Sequence, residues 1–298
     1  MRVLVTGGTG FIGSNLTRRL LEAGHEVVIT GHDAEQPVPA GVKCLQPGLL
    51  GIRWQDLGHI DILFHQAAIN DTTLLDESEM IHANVEASRE LFLRLIAAGT
   101  NRIVYASSTA VYGDAPAPYT EEMELRPLNP YARSKVELES VAHRLATAYP
   151  SVIFVGLRYC NVYGPGENHK GKRASMILQL ARQMRAGNPR LFKFGEQKRD
   201  YIYVDDVVRA NQLAAQARQS CIVNCGSGRA ISFNCLVELL NPLLGVHRTP
   251  EYIDNPYADR YQSHTECDMT KARELLGFTP EVDIREGLDL YLRSGFLL

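Results

Sequence analysis

Thr6-Gly7-Gly8-Thr9-Gly10-Phe11-Ile12-Gly13 follows a short apolar run, Arg2–Thr6, and leads into a stretch of helical period, Ile12–Ala23. Glycine lets the backbone turn tightly after a strand, approach a pyrophosphate closely and pack a helix against the strand. The first turn of such a helix presents its N–H groups to phosphate oxygens. A lone GxGxxG is weak evidence, but a strand–helix junction is the context that makes the pattern informative. The stretch therefore predicts a dinucleotide-binding βαβ unit.

Apolar runs rich in Val and Ile alternate with longer stretches of helical period up to residue 157. Nearly continuous apolar runs are typical of strands buried on both faces of a parallel sheet. The predicted strands are Arg2–Thr6, Glu26–Thr30, Asp61–Ala67, Arg102–Ser107 and Val152–Leu157, with Val42–Leu45 as a further short strand, and the predicted helices are Ile12–Ala23, Glu77–Ala98 and Tyr131–Tyr149. This order predicts an α/β fold with a doubly wound parallel sheet of the Rossmann type.

After Gly164 the alternation loosens. Lys170–Phe194 and Ser232 to the C-terminus are predicted as helices and loops, with Tyr201–Val204 and Ile222–Cys225 as strands that return to the sheet. We expect a Rossmann domain of residues 1–164 with returning segments near 196–228, and a smaller C-terminal α/β substrate lobe of residues 165–195 and 229–298. The Pro- and acid-rich stretch 114–130 is expected to form a surface loop.

The composition excludes several classes of protein. The 298 residues carry 31 Lys and Arg against 34 Asp and Glu, a net charge of −3, and 45% are hydrophobic. This near-neutral balance argues against a nucleic-acid partner, and no window approaches the roughly 20 apolar residues that cross a bilayer. The apolar start is broken by glycines and is not a signal peptide, so we expect a cytoplasmic protein without a membrane partner. The six Cys and nine His lack metal-site spacing, and no metal is expected.

The end of the second predicted strand bears on the choice between NAD and NADP. An Asp or Glu there would accept hydrogen bonds from ribose hydroxyls, whereas an Arg would hold a 2′-phosphate. The expected acidic position holds Gly31, and Asp33 follows two residues later. No Arg or Lys occurs between His25 and Val42. These residues favour NAD slightly and leave NADP open.

A possible catalytic group lies near the middle of the chain. Tyr131 and Lys135 are four residues apart, which places them on one face of a helix. Ser107-Ser108 ends a predicted strand, at the edge where α/β sheets bind ligands. A tyrosine titrates near 10, so a neighbouring ammonium is needed to stabilise its phenolate at neutral pH. The serine hydroxyl can hold the oxygen of a substrate in line.

These motifs together resemble the extended short-chain dehydrogenase/reductase family nearly from end to end. The residues that carry the resemblance are Gly7-x-x-Gly10-x-x-Gly13, His65-Gln66-Ala67-Ala68, Tyr105-Ala106-Ser107-Ser108, Tyr131-x-x-x-Lys135, Arg158-Tyr159-Cys160-Asn161-Val162-Tyr163-Gly164-Pro165, Arg199-Asp200-Tyr201-Ile202-Tyr203-Val204-Asp205-Asp206 and Asn224-Cys225-Gly226-Ser227-Gly228. The resemblance implies nucleotide-sugar chemistry with a tightly held NAD(P), and a homo-oligomer that pairs through the tyrosine-bearing helix.

The resemblance also implies a role for particular residues. It gives catalysis to Ser108, Tyr131 and Lys135, contact with the sugar diphosphate to Asn161, and neutralisation of that diphosphate to arginines at positions 199 and 260. The implied cofactor contacts are Gly7, Gly10, Phe11, Ile12, Gly13, His32, Asp33, Ala67, Ala68, Asn84, Ser107, Tyr131, Lys135 and Tyr159, and the implied substrate contacts are Thr72, Thr73, Ser108, Asn161, His169, Phe192, Arg199 and Arg260.

The residues after Ser108 distinguish among activities within the family. Sugar 4,6-dehydratases of the family carry an Asp-Glu pair beside this serine, and decarboxylases carry a glutamate. Here the sequence continues Thr109-Ala110-Val111-Tyr112-Gly113, without a carboxylate. The resemblance therefore favours an epimerase that oxidises its sugar transiently and reduces it again.

One group of epimerases matches further. Gly164-Pro165-Gly166-Glu167-Asn168-His169-Lys170-Gly171, Asn70-Asp71-Thr72-Thr73 and Arg260-Tyr261-Gln262 resemble the ADP-glycero-manno-heptose 6-epimerases. That resemblance implies that Lys170 is a second acid/base on the far face of the sugar. The chain departs from the group in Lys172-Arg173 and in Gln66-Ala67. A UDP-hexose 4-epimerase, an NAD(P)-dependent ketoreductase and a catalytically inactive dinucleotide-binding protein remain alternatives.

Overall fold

A seven-stranded parallel sheet forms the centre of the molecule. The computed structural model describes residues 1–31, 38–45, 51–54, 57–70, 76–256 and 262–297. The strands of the central sheet are β1 (Arg2–Thr6), β2 (Glu26–Thr30), β3 (Lys43–Leu45), β4 (Ile62–His65), β5 (Arg102–Ser108), β6 (Ile153–Tyr159) and β10 (Cys221–Cys225). They lie in the order β10-β6-β5-β4-β1-β2-β3. The order reverses between β1 and β4, and such a switch point is where sheets of this kind bind ligands.

Helices cover both faces of the central sheet. They are α1 (Phe11–Glu22), α2 (Glu77–Ile81), α3 (Ala87–Ala97), α4 (Pro130–Ala148), α6 (Val204–Ala214) and α8 (Thr270–Leu276). Successive residues of β1 point to opposite faces, so Val3 and Val5 join one buried cluster with Leu16 of α1. Leu4 joins the other cluster with Leu91 of α3. Burial of each large aliphatic side chain contributes roughly 1.5–3 kcal/mol. The parallel strand order, with helices packed on both faces of the sheet, confirms the predicted doubly wound Rossmann-type fold.

A second layer of structure follows β6. Its helices and strands are β7 (Asn161–Tyr163), α5 (Met176–Ala186), β8 (Arg190–Phe192), β9 (Lys198–Tyr203), β11 (Ala230–Ser232), α7 (Phe233–Leu244), β12 (Glu251–Ile253), β13 (His264–Thr265) and α9 (Ile284–Arg293). Strands β11, β9 and β13 form a separate sheet in which β7 also pairs with β9, and β8 pairs with β12. Helices α5, α7 and α9 share one apolar cluster. The two-lobe boundaries expected from the sequence stay a prediction.

The structure corrects two expectations for this second region. Tyr201–Val204 was expected to return to the central sheet, but β9 lies in the smaller sheet instead. Its residues are buried because Tyr201 and Tyr203 both pack edge-on against Tyr163, with ring centroids 6.2 and 5.5 Å away. The segments predicted as helices and loops also contain three strands of two or three residues, which are too short to produce a recognisable pattern. The expected return of Ile222–Cys225 to the central sheet is confirmed by β10.

The predicted helix Glu77–Ala98 is interrupted by a π-helical turn, His82–Glu86. Within this turn Asn84 accepts a hydrogen bond from the Ile69 backbone N–H at 2.8 Å and donates to the Ile69 carbonyl at 2.9 Å. Its amide also donates to Ser134 Oγ of α4 at 3.0 Å. One inserted turn thus fastens the loop after β4 to α4, and such turns are frequent at functional sites.

The stretch 114–130 is more firmly held than the expected surface loop. Tyr119 is fully buried and stacks on Tyr112, with ring centroids 4.6 Å apart. Its backbone N–H donates to the Glu266 carbonyl, and its carbonyl accepts from Asp268. Aromatic packing and backbone hydrogen bonds therefore hold a segment whose composition is typical of a loop.

Within the described ranges, no helix combines the length and apolar character that a bilayer span requires.

His65 gives the fold a dependence on pH. The imidazole is buried between Thr6 Oγ1 and Ser88 Oγ, each 2.8 Å from a ring nitrogen. Burial, together with the smaller effect of the nearby Lys135 charge, lowers the pKa of His65 to about 3. The unfolded chain, with a histidine pKa near 6.5, therefore binds a proton that the folded chain refuses.

We expect the free energy of unfolding to fall as the pH drops below about 6.5, with a contribution from His65 on the order of 1 kcal/mol per pH unit. His65→Gln, which can still donate and accept a hydrogen bond, should flatten this slope, whereas His143→Gln at an exposed position should not. Urea unfolding at pH 7.5, 6 and 5 measures the difference. Parallel slopes for the wild type and His65→Gln would contradict the assignment.

Candidate active site

The glycine motif allows β1, α1 and β4 to approach one another closely. Gly7 has a φ of +66°, and a Cβ there would lie 2.9 Å from the backbone of Ala67. A Cβ on Gly13 would lie 2.0 Å from the carbonyl oxygen of Gly7. Gly10 precedes the first helical residue and has no side chain to cap α1, whose first turn also lacks an acidic residue. The start of α1 is therefore suited to an anion.

A cavity of about 430 Å³ opens over this motif at the switch point between β1 and β4. Of the predicted cofactor contacts, those that line it are Gly7, Gly10, Phe11, Ile12, Gly13, Ala67, Ala68 and Asn84. Volume, glycine floor and helix N-terminus all fit a nicotinamide dinucleotide. His32 and Asp33 lie outside the residues that the structure describes.

Thr9 occupies the space beside Gly31. A Cβ on Gly31 would lie 2.2 Å from Thr9 Oγ1 and 2.4 Å from Thr9 Cγ2. Thr9 itself is 5% exposed, so it has little room to move aside. The glycine at the position expected to be acidic is thus required by packing, because Thr9 leaves no room for a side chain there.

Ser108, Tyr131 and Lys135 come together at the carboxyl end of β5. Asn129 caps α4 by accepting from the Ala132 N–H, and Pro130 begins the helix. This start places Tyr131 in the first turn, close enough to Ser108 for the serine hydroxyl to lower the pKa of the tyrosine. The Lys135 ammonium lies 5.7 Å from the centroid of the Tyr131 ring.

Burial dominates the electrostatics of this group. It raises the pKa of Tyr131, and the hydrogen bond with Ser108 lowers that pKa in part. Burial lowers the pKa of Lys135 to about 8, while the nearby Glu139 carboxylate raises it. The Lys135 ammonium also donates to the Ala106 carbonyl at 2.9 Å. At neutral pH the free protein therefore holds a phenol next to a lysine that is still mostly charged.

A buried ion pair supports the catalytic helix. Glu139, one turn after Lys135, accepts two hydrogen bonds from Arg158 of β6 at 2.9 and 2.8 Å. It also accepts from Ser107 Oγ of β5 at 2.5 Å, and Arg158 donates to Tyr112 Oη at 2.9 Å. Both ions are about 5% exposed. This pair was not predicted from the sequence, although the four-residue spacing from Lys135 places Glu139 on the same face of the helix.

Two predicted cofactor contacts, Ser107 and Tyr159, are engaged with protein groups. Ser107 donates to Glu139, as described above. The Tyr159 hydroxyl donates to Gln66 Oε1 at 3.0 Å and accepts from Asn211 at 2.8 Å, while Gln66 donates to Asn211 at 2.9 Å. This closed triangle fixes the loop after β4 on the central sheet, and contact of either residue with a cofactor stays a prediction.

Three of the predicted substrate residues, Asn161, Arg199 and Phe192, lie on the short strands β7, β9 and β8. Asn161 donates to the Asp200 carbonyl and to Thr265 Oγ1, at 3.0 and 3.1 Å. Arg199 stacks over the ring of Phe233 at 5.5 Å. Phe192 ends β8, while the residues at positions 72, 73 and 260 (Thr72, Thr73 and Arg260) lie outside the described part of the chain.

His169 and Lys170 line the dinucleotide cavity rather than a separate sugar pocket. The Lys170 ammonium lies 5.4 Å from the centroid of the Phe11 ring. Arg173 and Asn70, which the sequence analysis did not assign, line the same cavity. The departure of Lys172-Arg173 from the related epimerases was the sequence signal that could have drawn attention to Arg173.

Cys160, Asp200 and Cys267 form a cluster that the sequence spacing did not reveal. Their ligand atoms all lie within 4.8 Å of one another. The Asp200 carboxylate accepts hydrogen bonds from Ser227 N and Oγ, Gly228 N and Cys267 N. Because these donors occupy its lone pairs, the carboxylate anchors backbone and is poorly placed to ligate a metal.

Together, the glycine-lined cleft and the Ser108, Tyr131 and Lys135 group define a nicotinamide-dependent enzyme of the extended short-chain dehydrogenase/reductase class. The model of one family, the NAD dependent epimerase/dehydratase family, matches residues 3–226. The chain belongs to this family.

Solved structures give similar matches across the whole chain. ADP-L-glycero-D-manno-heptose-6-epimerase from Helicobacter pylori is 33% identical, with a TM-score of 0.89 over 98% of this chain and 95% of that one. UDP-glucose 4-epimerase from Thermotoga maritima, with UDP-glucose, is 30% identical, with a TM-score of 0.90 over 99% of each chain. MoeE5 in complex with UDP-glucose and NAD is 32% identical, with a TM-score of 0.88 over 99% of this chain and 98% of that one.

Tyr131→Phe should leave folding and dinucleotide binding nearly intact, because it removes only one hydroxyl. We expect turnover to fall about 10²- to 10⁴-fold, the usual contribution of general acid–base catalysis. Turnover of nucleotide sugars and calorimetric titration with NAD measure the two effects. Turnover near the wild-type rate would rule out Tyr131 as the proton carrier.

Glu139→Gln should destabilise the protein by about 3–5 kcal/mol, because it leaves the Arg158 charge buried without its partner. Glu137→Gln, on the exposed face of the same helix, should change stability by less than about 0.5 kcal/mol. Denaturant unfolding of both variants is the measurement. Equal, small losses would show that the ion pair does not hold α4.

Proposed function

We propose that the protein is a nucleotide-sugar epimerase that oxidises its sugar transiently and reduces it again with a retained nicotinamide cofactor. The observation that carries the proposal is the group of Ser108, Tyr131 and Lys135 at the carboxyl end of β5, together with the glycine-lined cavity at the switch point of the same sheet. Residues 109–112 (Thr-Ala-Val-Tyr) add no carboxylate to this group. A water-eliminating enzyme would need a further acid and base, which supports epimerisation over dehydration.

Tyr131 is the acid and base of the proposed reaction. Ser108 orients the sugar hydroxyl, and the phenolate form of Tyr131 takes the hydroxyl proton as the carbon is oxidised. A nicotinamide dinucleotide held over Gly7, Gly10 and Gly13 would supply the hydride acceptor and donor for this chemistry. Lys135 stabilises the phenolate, because its ammonium lies near the ring and its pKa of about 8 keeps it mostly charged at neutral pH. When the carbonyl oxygen still faces Tyr131 during the reduction, Tyr131 returns the proton.

For the substrate we propose an ADP-heptose, with inversion at carbon 6. The similarity to the Helicobacter pylori enzyme and the His169-Lys170-Gly171 stretch support this choice. Carbon 6 is exocyclic, so its carbonyl oxygen can turn to the far side of the sugar and require a second proton donor. Lys170 would be that donor. For this role its ammonium must leave the Phe11 ring and reach the sugar.

The position of Lys170 also favours a second candidate, a UDP-hexose 4-epimerase. In the structure its ammonium faces Phe11 in the dinucleotide cavity, where no second proton donor is needed. A hexose 4-epimerase can reuse one tyrosine, because the keto sugar rotates and presents its other face. The Thermotoga maritima enzyme, solved with UDP-glucose, supports this alternative.

A ketoreductase would use the same Ser108, Tyr131 and Lys135. It would consume added NAD(P)H in stoichiometric amounts, whereas an epimerase needs no net reductant. Absorbance at 340 nm during turnover separates the two reactions.

We expect the wild-type protein to epimerise ADP-glycero-manno-heptose without added NAD(P)H, as read from product stereochemistry by NMR. Lys170→Met should reduce epimerisation at least 100-fold and still permit slow reduction of bound cofactor by substrate. Lys172→Met, two residues away and exposed, should retain nearly full activity.

Two outcomes would overturn parts of this proposal. Epimerisation of ADP-heptose by Lys170→Met at the wild-type rate would exclude the second-donor role. Interconversion of UDP-glucose and UDP-galactose, with no reaction of ADP-heptose, would establish the 4-epimerase instead.

A further inference from the structure

One wall of the dinucleotide cavity is a short 3₁₀ segment, Asn168–Arg173. It is fastened at its start by Glu167, which is fully buried and accepts from Gly164 N, Ser175 N and Ser175 Oγ. At its end, Gln179 donates to the Lys172 carbonyl at 3.1 Å. These contacts hold the segment at the cavity that the glycine motif also lines.

The wall carries positive charge towards the cavity. Lys170 and Arg173 both line the cavity, and no Asp or Glu does so among the residues that the structure describes. The Lys170 ammonium lies 5.4 Å from the ring of Phe11, the first residue of α1. Two cations thus share a space with the positive end of a helix dipole. Like charges repel, and a dianionic group between them converts the repulsion into attraction.

Arg173 contacts the loop after β4, which contributes another part of the cavity lining. Its Nη1 donates to Asn70 Oδ1 at 3.1 Å. Asn70 follows Ala67 and Ala68 in the loop after β4, which also lines the cavity. A guanidinium has five N–H donors in a fixed plane, so it can contact Asn70 and a phosphate oxygen at once.

We propose that Arg173 is a cofactor-binding residue that contacts the diphosphate of the nicotinamide dinucleotide, and that Asn70 is a positioning residue that orients its guanidinium. The pair bridges the two walls of the cleft and slows cofactor release. This role rests on the proposed function, because an epimerase must keep its reduced cofactor until the second hydride transfer. Cofactor lost between the two transfers would leave the sugar oxidised.

The test measures cofactor release rather than turnover. Protein loaded with NAD is mixed with excess isotope-labelled NAD, and the exchange is followed by mass. We expect Arg173→Gln to release NAD about 10- to 100-fold faster, the usual effect of losing a charge-assisted contact. Arg173→Lys should recover part of this loss, and Asn70→Ala should accelerate release about 3- to 10-fold. Lys172→Gln, on the same segment but not lining the cavity, should remain within about twofold of wild type.

Measuring the release rate at different salt concentrations and with NADP tests whether Arg173 contacts the diphosphate. A contact with the diphosphate predicts faster release from the wild type as the ionic strength rises, with a weaker dependence in Arg173→Gln. It also predicts the same fold-change for NADP as for NAD, since both carry the diphosphate.

Three results would overturn the proposal. They are unchanged release from Arg173→Gln, equal acceleration by Arg173→Gln and Lys172→Gln, and an effect confined to NADP, which would place Arg173 on the 2′-phosphate. Wild-type protein that binds neither dinucleotide would overturn the proposed function as well. Tight binding with no epimerase activity would overturn the proposed function alone.

Discussion

The ion pair between Glu139 and Arg158 fixes the geometry of the catalytic group. It joins the middle of α4 to β6, and Ser107 joins the same carboxylate to β5. Lys135 and Tyr131 lie one and two turns before Glu139 on the same helix, so their distance from Ser108 depends on this attachment. A buried ion pair gains little net stability over apolar packing, but it tolerates few alternative arrangements. The main contribution of this ion pair is therefore to fix the position of α4 relative to β5 and β6.

The sequence predicted the central sheet well, because its signal is local. Strands such as Arg2–Thr6 and Glu26–Thr30 have the predicted bounds, since each is an uninterrupted apolar run between polar residues. The prediction failed for Tyr201–Val204, where burial comes from aromatic packing in a different sheet. Periodicity reports that a strand is buried and does not report which sheet buries it. The π-helical turn around Asn84 could not be predicted either, because Asn84 is held there by a hydrogen bond from Ile69, which is fifteen residues away in the sequence.

The site was predictable where residues are close in sequence. The glycine motif and the Tyr131 and Lys135 pair depend on spacing within one loop or one helix. Arg173 and Asn70 meet only after the chain has passed through β5, α4 and β6, so neither residue signals the contact. The position of Lys170 over Phe11 is likewise a consequence of tertiary structure. The resemblance implies that Lys170 is a second acid/base for the sugar, whereas the structure places its ammonium over the ring of Phe11 in the dinucleotide cavity.

The packing of Thr9 against Gly31 limits how the cofactor preference of this protein can be redesigned. A common strategy introduces an acidic side chain at the end of the second strand to favour NAD. Here that side chain would overlap Thr9, whose Oγ1 is 2.2 Å from the required Cβ. The two positions are therefore energetically coupled, and their substitutions will not be additive. A redesign therefore has to shorten the residue at position 9 together with the change at position 31.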